Sequence, residues 1–449
     1  MKNFSTAILV ALLAGFTYWV SPVTHSPDSR WVLPTALSLV TEGNIGLNEY
    51  RELIKARGTY GLRRKKREFV NFFPVGPAIL AASFVEVMRR YPSGVSKALG
   101  ISFDGGGESF LKHRRILEHL IASVVCGAAV GALFVMLLPV AAYPIALLFA
   151  CAAGWGSTLW SVASRGLWQH GPAILCLAGA LAVLLRRTDR ASSPRAWWIQ
   201  GLSLGFLLAL AYLMRPTVAA AIVGIGAYLF FTDRRSLVLM ILGALPVAIP
   251  FIAHNISWYG DILPPYYQGR DLRFSGTALE ALAANLISPS RGLLVLSAWT
   301  LVSFLTLRRN MNALTLCLWG WCFAHLIAVS LFDRWWGGHS FGPRFMSEVL
   351  PPLMILGALG IQRVKRRGAA LSTLGLLVVV SVVLHSSGAL SYATVVWNRY
   401  PGNIDEAPRR VWSIARPQSL APLYLNIGAP RSSSTEATDE ASPPTGSTP

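Results

Sequence analysis

Charge is what this sequence has least of. Only 14% of its 449 residues are Asp, Glu, Lys or Arg, where soluble domains carry about a quarter, so a surface wetted on all sides is excluded. Acids are the scarcer sign: 21 Asp and Glu against 40 Lys and Arg leave a formal charge of +19. Cysteine is thin as well, and all five (Cys126, Cys151, Cys176, Cys317 and Cys322) fall inside apolar stretches. They read as small core residues, not as a disulfide framework or a metal site. The first apolar segment lacks a small-x-small cleavage site, since Tyr18, Trp19 and Val20 precede Ser21, and its only flanking charge is Lys2. A retained first helix is expected in place of a cleaved signal peptide. No internal repeat is evident.

Long apolar runs are what the chain has instead. About 20 helical residues cross the hydrocarbon of a bilayer. Such runs recur near 4–20, 120–140, 143–163, 171–185, 197–214, 217–231, 237–254, 292–307, 311–331, 346–361 and 369–388. The expected class is an all-α polytopic membrane protein of about 11 transmembrane helices. Four basic clusters lie between spans: Arg186, Arg187, Arg190 and Arg195; Arg234 and Arg235; Arg308 and Arg309; and Arg363, Lys365, Arg366 and Arg367. A cytoplasmic N-terminus puts all four inside, as the positive-inside rule asks. Much of the positive charge then needs no polyanion, and no nucleic-acid partner is expected.

On that topology the segments 21–119 and 255–291, the turn 332–345 and the C-terminal tail face outward. Pro74 to Met88 is apolar, but a crossing there would invert every basic cluster. It is expected to lie in or dip into the outer interface. The basic run Arg63 to Arg67 then sits outside, which a long translocated loop tolerates. The expected division is a first transmembrane helix at 1–20, an outer loop with juxtamembrane helices at 21–119, and a bundle of about ten helices at 120–388. An outer C-terminal segment at 389–428 and a disordered Ser/Thr/Pro-rich tail at 429–449 complete it.

The span centres carry no Asp, Glu, Lys or Arg. Ion-coupled transporters usually keep such groups at membrane depth, so a transporter is disfavoured. His325 reads as a histidine hydrogen-bonded between packed helices.

Polar residues gather on the outward side. They include Asp28 and Arg30; Arg165, Gln169 and His170; Arg215; Asp261, Tyr266, Tyr267 and Arg270; Arg291; and the run Asp333 to Arg344. Arginines and aromatics along one membrane face suit a substrate with a phosphate head, sugar planes and a lipid tail, because guanidinium pairs with phosphate oxygens bidentately. Each residue also has an ordinary reading. Asp28 can be a helix cap, Trp335 and Trp336 interfacial anchors, Arg215 a snorkelling side chain, and Gly337, Gly338, Gly342 and Pro343 turn residues. Asp333 with Arg334 can be a solvated pair, and the Arg63 to Arg67 run a contact to anionic lipid.

In their order along the chain, five stretches carry a family resemblance. They are Asp28-Ser-Arg-Trp-Val-Leu-Pro-Thr-Ala-Leu-Ser-Leu, Asn71-Phe-Phe-Pro-Val-Gly-Pro, Trp168-Gln-His-Gly-Pro, Ser288-Pro-Ser-Arg-Gly-Leu-Leu and Trp335-Trp-Gly-Gly-His-Ser-Phe-Gly-Pro-Arg. The chain resembles the GT-C superfamily of polyprenyl-phosphate-sugar-dependent glycosyltransferases, which includes protein mannosyltransferases and aminoarabinose transferases. It is most similar to a bacterial branch of GT-C-like membrane proteins. The resemblance implies Asp28 as catalytic base and Arg30 as a grip on the donor phosphate; Arg215, Arg291 and Arg344 match basic positions in its motifs, and Arg215 or Arg344 is expected to join Arg30 on the phosphate. His170, Arg291, Trp335, Trp336 and His339 would line the substrate site. The family usually shows two adjacent acids here, whereas Asp28 is followed by Ser29.

The implied activity is inverting transfer of a monosaccharide from a polyprenyl phosphate to a lipid, glycan or protein acceptor. It would take place at the outer face of the bacterial inner membrane, among its lipids. No cofactor is expected: a polyprenyl phosphate leaves without a pyrophosphate, and nothing in the motifs supports a divalent metal. Two alternatives stand beside this reading, a lipid-linked-glycan flippase and a non-catalytic GT-C-like protein that binds donor lipid without turnover.

Overall fold

A computed structural model describes residues 2–24, 26–65, 67–186, 193–268, 277–308 and 311–425. Arg187, Arg190, Arg270, Arg309 and the tail at 429–449 lie outside these segments. The chain opens with α1 (Lys2–Trp19), followed by α2 (Val32–Thr41), α3 (Arg51–Arg57) and an antiparallel hairpin of β1 (Leu62–Lys65) and β2 (Glu68–Asn71). Next come α4 (Gly76–Arg90), α5 (Pro92–Leu99) and α6 (Gly107–Lys112), and then the bundle proper. Its helices are α7 (Arg114–Leu137), α8 (Tyr143–Trp155), α9 (Thr158–Ser161), α10 (His170–Arg186), α11 (Pro194–Met214), α12 (Ala219–Thr232) and α13 (Arg234–Tyr259). After α14 (Ala278–Ile287) and α15 (Leu293–Leu296), α16 (Ala313–Ser330), α17 (Leu350–Arg363) and α18 (Arg367–Leu390) finish it.

Among the described residues seven helices are long and apolar enough to cross a bilayer, and shorter apolar helices such as Asn3–Trp19, His170–Arg186 and Pro216–Thr232 lie among them. Helices α13 and α18 turn apolar side chains outward, including Ile241, Leu245, Ile249 and Ile252 on one and Leu376, Val379 and Val383 on the other. Exposed apolar faces of this size require a non-aqueous surrounding. Helix α4, at 15 residues, extends about 22 Å, short of the roughly 30 Å of hydrocarbon, and packs on α2.

Small residues set the crossing of α1 with α7. A Cβ on Gly127 would stand 2.5 Å from the Ala11 carbonyl oxygen, and one on Gly131 2.7 Å from that of Ala7. This Gly-x-x-x-Gly ridge lets the two backbones touch, which is the main source of helix affinity in lipid. Gly131→Leu is expected to cost about 1–3 kcal/mol through overpacking, read as a lower melting temperature in detergent.

The expected span 292–307 is wound differently from its neighbours. After α15 the chain forms a 3-10 helix over Ala298–Arg308, far longer than the three or four residues usual for that winding. The sequence explains it. Ser297, Thr300, Ser303 and Thr306 recur every third residue, all fully buried. Thr300, Ser303 and Thr306 each donate a hydroxyl to the carbonyl three residues back, at 2.7–2.8 Å. A period of three matches 3.0 residues per turn, so the polar stripe satisfies itself along one face.

The segments 21–113, 260–268 and 331–349 meet at one end of the bundle, and residues 391–425 fold over them. Arg291 is the tie that holds this cap. Its guanidinium donates to the Trp336 carbonyl (2.8 Å), Asn398 Oδ1 (3.0 Å) and Gln418 Oε1, and faces the Trp397 ring at 5.6 Å. Trp335, Trp336 and Trp397 pack behind it with Ile404 and Val411.

Candidate functional site

Asp28 sits in the turn between α1 and α2, and the loop beneath it is pinned from both sides. The Trp31 indole donates to the Tyr60 carbonyl at 2.7 Å, and the Phe72 N–H to the Gly61 carbonyl at 2.8 Å. Tyr60 thereby stands below the carboxylate and donates its hydroxyl to Asp28 Oδ1 at 2.7 Å. Burial, then the Asp28 charge and hydrogen bond, raise the Tyr60 phenol well above the ordinary tyrosine range, so the phenol keeps its proton and donates. Arg344 Nη1 donates to Asp28 Oδ2 at 2.7 Å. Its guanidinium lies 4.5 Å from the Trp168 ring and 4.9 Å from the Phe345 ring. Its Nε–H is buried and has no hydrogen-bond partner.

These groups form one wall of a cavity of about 660 Å³. Asp28, Arg30, Tyr60 and Arg344 line one side of it; Phe72, Phe73, Tyr266, Phe332 and Phe345 make an aromatic wall. The rings touch in series: Phe73 to Tyr266 at 5.1 Å, Tyr266 to Phe332 at 6.1 Å and Phe332 to Phe345 at 5.8 Å. Asp333, Arg334, His339, Arg399 and Asp405 line it too. Four guanidiniums against three carboxylates leave the walls net positive. Among the described residues no three His, Cys, Asp or Glu side chains gather as metal ligands. Ser29, standing where a second acid is usual, donates its hydroxyl to Glu118 Oε2 at 3.1 Å, inside the protein.

Of the residues singled out in the sequence, Asp28, Arg30, Arg344 and His339 come together at this cavity. Tyr266, Asp333 and Arg334 line it too, whereas Arg215, His170, Arg291, Trp335 and Trp336, expected at the substrate, do not. Arg215 and His170 lie below the floor in a buried cluster around Glu348. His170 donates Nδ1–H to Glu348 Oε1 at 2.7 Å and takes Arg215 Nη1–H at Nε2, 2.9 Å away. Arg215 Nε stands 3.2 Å from the same carboxylate oxygen. Its charge faces Glu348 there, and it does not line the cavity. Arg291 is consumed in tying the cap, and Trp335 and Trp336 are buried behind the turn (3% and 9% exposed) instead of facing a sugar. His325 donates to the Phe345 carbonyl at 2.8 Å, as expected of a histidine between helices, but also stands 3.6 Å from Glu348 Oε2.

Tyr60, Phe72, Phe73, Arg399, Asp405 and Glu348 were not picked out as site residues. Phe72 and Phe73 lie in one of the five quoted stretches, and Glu348 is visible as an acid inside an apolar run. Arg399 and Asp405 carry no local signal, since only the fold of residues 391–425 brings them to the cavity.

No protein-family model matches the chain, and no curated protein does. Among solved structures, the crystal structure of ArnT from Cupriavidus metallidurans bound to undecaprenyl phosphate aligns with a TM-score of 0.56 at 14% identity, over 88% of this chain and 68% of that protein. The apo ArnT structure aligns at 0.55 and 14%, over 89% and 65%. The chain spans about two thirds of the length of ArnT. Such low identity speaks for the backbone arrangement alone. This chain shares the helical fold of ArnT, in line with the all-α polytopic class expected from its apolar runs.

Proposed function

We propose that this protein transfers a monosaccharide from a polyprenyl phosphate to a hydroxyl-bearing acceptor, with Asp28 as general base. The observation that carries the reading is a carboxylate, 15% exposed at its side chain, in the wall of a cavity that is basic on one side and aromatic on another. Both Asp28 oxygens accept one hydrogen bond each, and a carboxylate offers about four lone-pair sites, so room remains for an acceptor hydroxyl.

In the reaction the acceptor oxygen attacks the anomeric carbon as its proton passes to Asp28. The bond from the anomeric carbon to the phosphate oxygen breaks, and its electron pair leaves with the polyprenyl phosphate. Configuration inverts. Negative charge grows on the phosphate, and fixed guanidiniums in a water-poor site stabilise it more than water would. Arg344 and Arg30, which line the cavity with Asp28, are the candidates for that role. The aromatic wall suits the sugar face and the first isoprene unit. On this reading the cavity opens at the outer face of the bacterial inner membrane, with the N-terminus cytoplasmic.

The likeness in fold to a protein solved with undecaprenyl phosphate supports the lipid partner. The test is transfer of labelled sugar from a synthetic polyprenyl phosphate in proteoliposomes. Tyr60→Phe removes one of the two bonds to Asp28, and a hydrogen bond to a charged group contributes about 1.5–3 kcal/mol. Transfer is expected to fall about 10- to 100-fold at unchanged expression. A rate equal to the wild type would remove Tyr60 from the site.

A further inference from the structure

We propose that Asp405 binds hydroxyl groups of the transferred sugar, so that the segment after the last bundle helix sets which sugar is accepted. The inference rests on the glycosyltransferase reading and adds a specificity group to it.

Asp405 belongs to the cap, yet it lines the same cavity as Asp28. One of its oxygens is occupied: Oδ1 accepts the Trp336 indole N–H at 2.8 Å. Oδ2 stands 3.6 Å from Arg334 Nη1 and 3.8 Å from His339 Nε2. Both are ion-pair distances beyond hydrogen-bond reach, and no hydrogen bond to Oδ2 exists among the described residues. The carboxylate is held ready. Asn403 Oδ1 accepts both the Asp405 N–H (3.1 Å) and the His339 Nε2–H (2.8 Å), while Ile404 is fully buried in the tryptophan cluster behind.

The floor between the two carboxylates is bare backbone. Gly337 and Gly338 adopt φ of 78° and 58°. A Cβ on Gly337 would stand 3.7 Å from Arg344 Nε, and one on Gly338 3.9 Å from Asp405 Oδ1. Consecutive Cα atoms are about 3.8 Å apart, so Arg344 and Asp405 lie within about 15 Å of each other. That bound admits one sugar ring with its phosphate.

The chemistry of the far pole selects the sugar over the other parts of the donor. A phosphate is repelled by a carboxylate, and an isoprenoid tail offers it nothing. A ring hydroxyl donates to Oδ2 and accepts from a guanidinium, and Arg334 stands beside Asp405.

The test compares wild type and Asp405→Asn in proteoliposomes, using a polyprenyl-phosphate donor and analogues each lacking one ring hydroxyl. Asn keeps an oxygen for the Trp336 N–H and loses the charge. For at least one analogue the wild type is expected to favour the full donor about 10- to 100-fold in kcat/KM, and Asp405→Asn to shrink that preference to about 3-fold. Equal discrimination by the two proteins overturns the assignment while leaving the transferase reading intact. Absence of transfer from any donor by the wild type overturns that reading itself. Should Asp405→Asn fail to fold, Trp336→Phe, which frees Oδ1 and keeps an aromatic ring there, carries the test: reduced discrimination supports the assignment and unchanged discrimination overturns it.

Discussion

Asp28→Asn is expected to cut the transfer rate at saturating donor by about 10²- to 10⁴-fold, the usual contribution of a general base. The substitution is close to isosteric. The amide oxygen can still accept from Tyr60 or from Arg344, so the turn between α1 and α2 keeps its anchors and the cavity its shape. What the amide cannot do is take a proton. Donor binding should change much less than turnover, because on this account the phosphate is held by guanidiniums and not by the acid. The measurement is the initial rate of label transfer in proteoliposomes, with donor affinity read separately by titration. A folded Asp28→Asn protein that retains the wild-type rate would remove Asp28 from the chemistry. A flippase with the same fold would show lipid movement indifferent to this change, which makes the variant a discriminator between the two classes.

The second large effect falls on stability. Glu348 is fully buried, with His170 at 2.7 Å and Arg215 at 3.2 Å. Removing one partner of a buried ion pair costs about 3–5 kcal/mol, because the other charge is left uncompensated in a medium that solvates it poorly. Glu348→Ala is therefore expected to lower the melting temperature sharply and to reduce the folded yield. Glu348→Met combined with Arg215→Met should recover most of the loss, since an apolar pair of similar volume strands no charge. The effect should also reach the cavity. Phe345 lies between two guanidiniums, Arg215 at 5.6 Å and Arg344 at 4.9 Å, and Glu348 lies one turn beyond Arg344. A Glu348→Ala protein that melts with the wild type would show that the cluster contributes nothing net to the fold.

The bundle was legible in the sequence because crossing a bilayer imposes length and apolarity on each span, and both are local properties. Helices α7, α10, α11, α13, α16, α17 and α18 fall close to the apolar runs that announce them. The 3-10 winding after α15 was equally written in the sequence, as a polar residue every third position, but a hydropathy reading averages that period away. The site was partly legible. Asp28, Arg344 and His339 stood out as polar residues flanking apolar runs, and the structure gathers them. Arg215 and His170 looked the same and were misplaced, because their partner Glu348 lies far along the chain and pairing depends on the packed fold. Arg291 and the two tryptophans show a further limit: a buried arginine tying a loop and an arginine facing a ligand have the same local sequence. Asp405 and Arg399 reach the cavity only through the long-range fold of the C-terminal segment, and no neighbouring residue marks them.

On this reading one cavity holds the lipid phosphate and the base together. That arrangement is tested most directly by a cryo-electron microscopy structure of the protein in lipid nanodiscs with a polyprenyl phosphate bound. The phosphate is expected inside the cavity, within hydrogen-bond distance of Arg30 or Arg344, with the first isoprene unit against Phe73, Tyr266 and Phe332. A phosphate seated on another surface, with the Asp28 cavity filled by water alone, would contradict it.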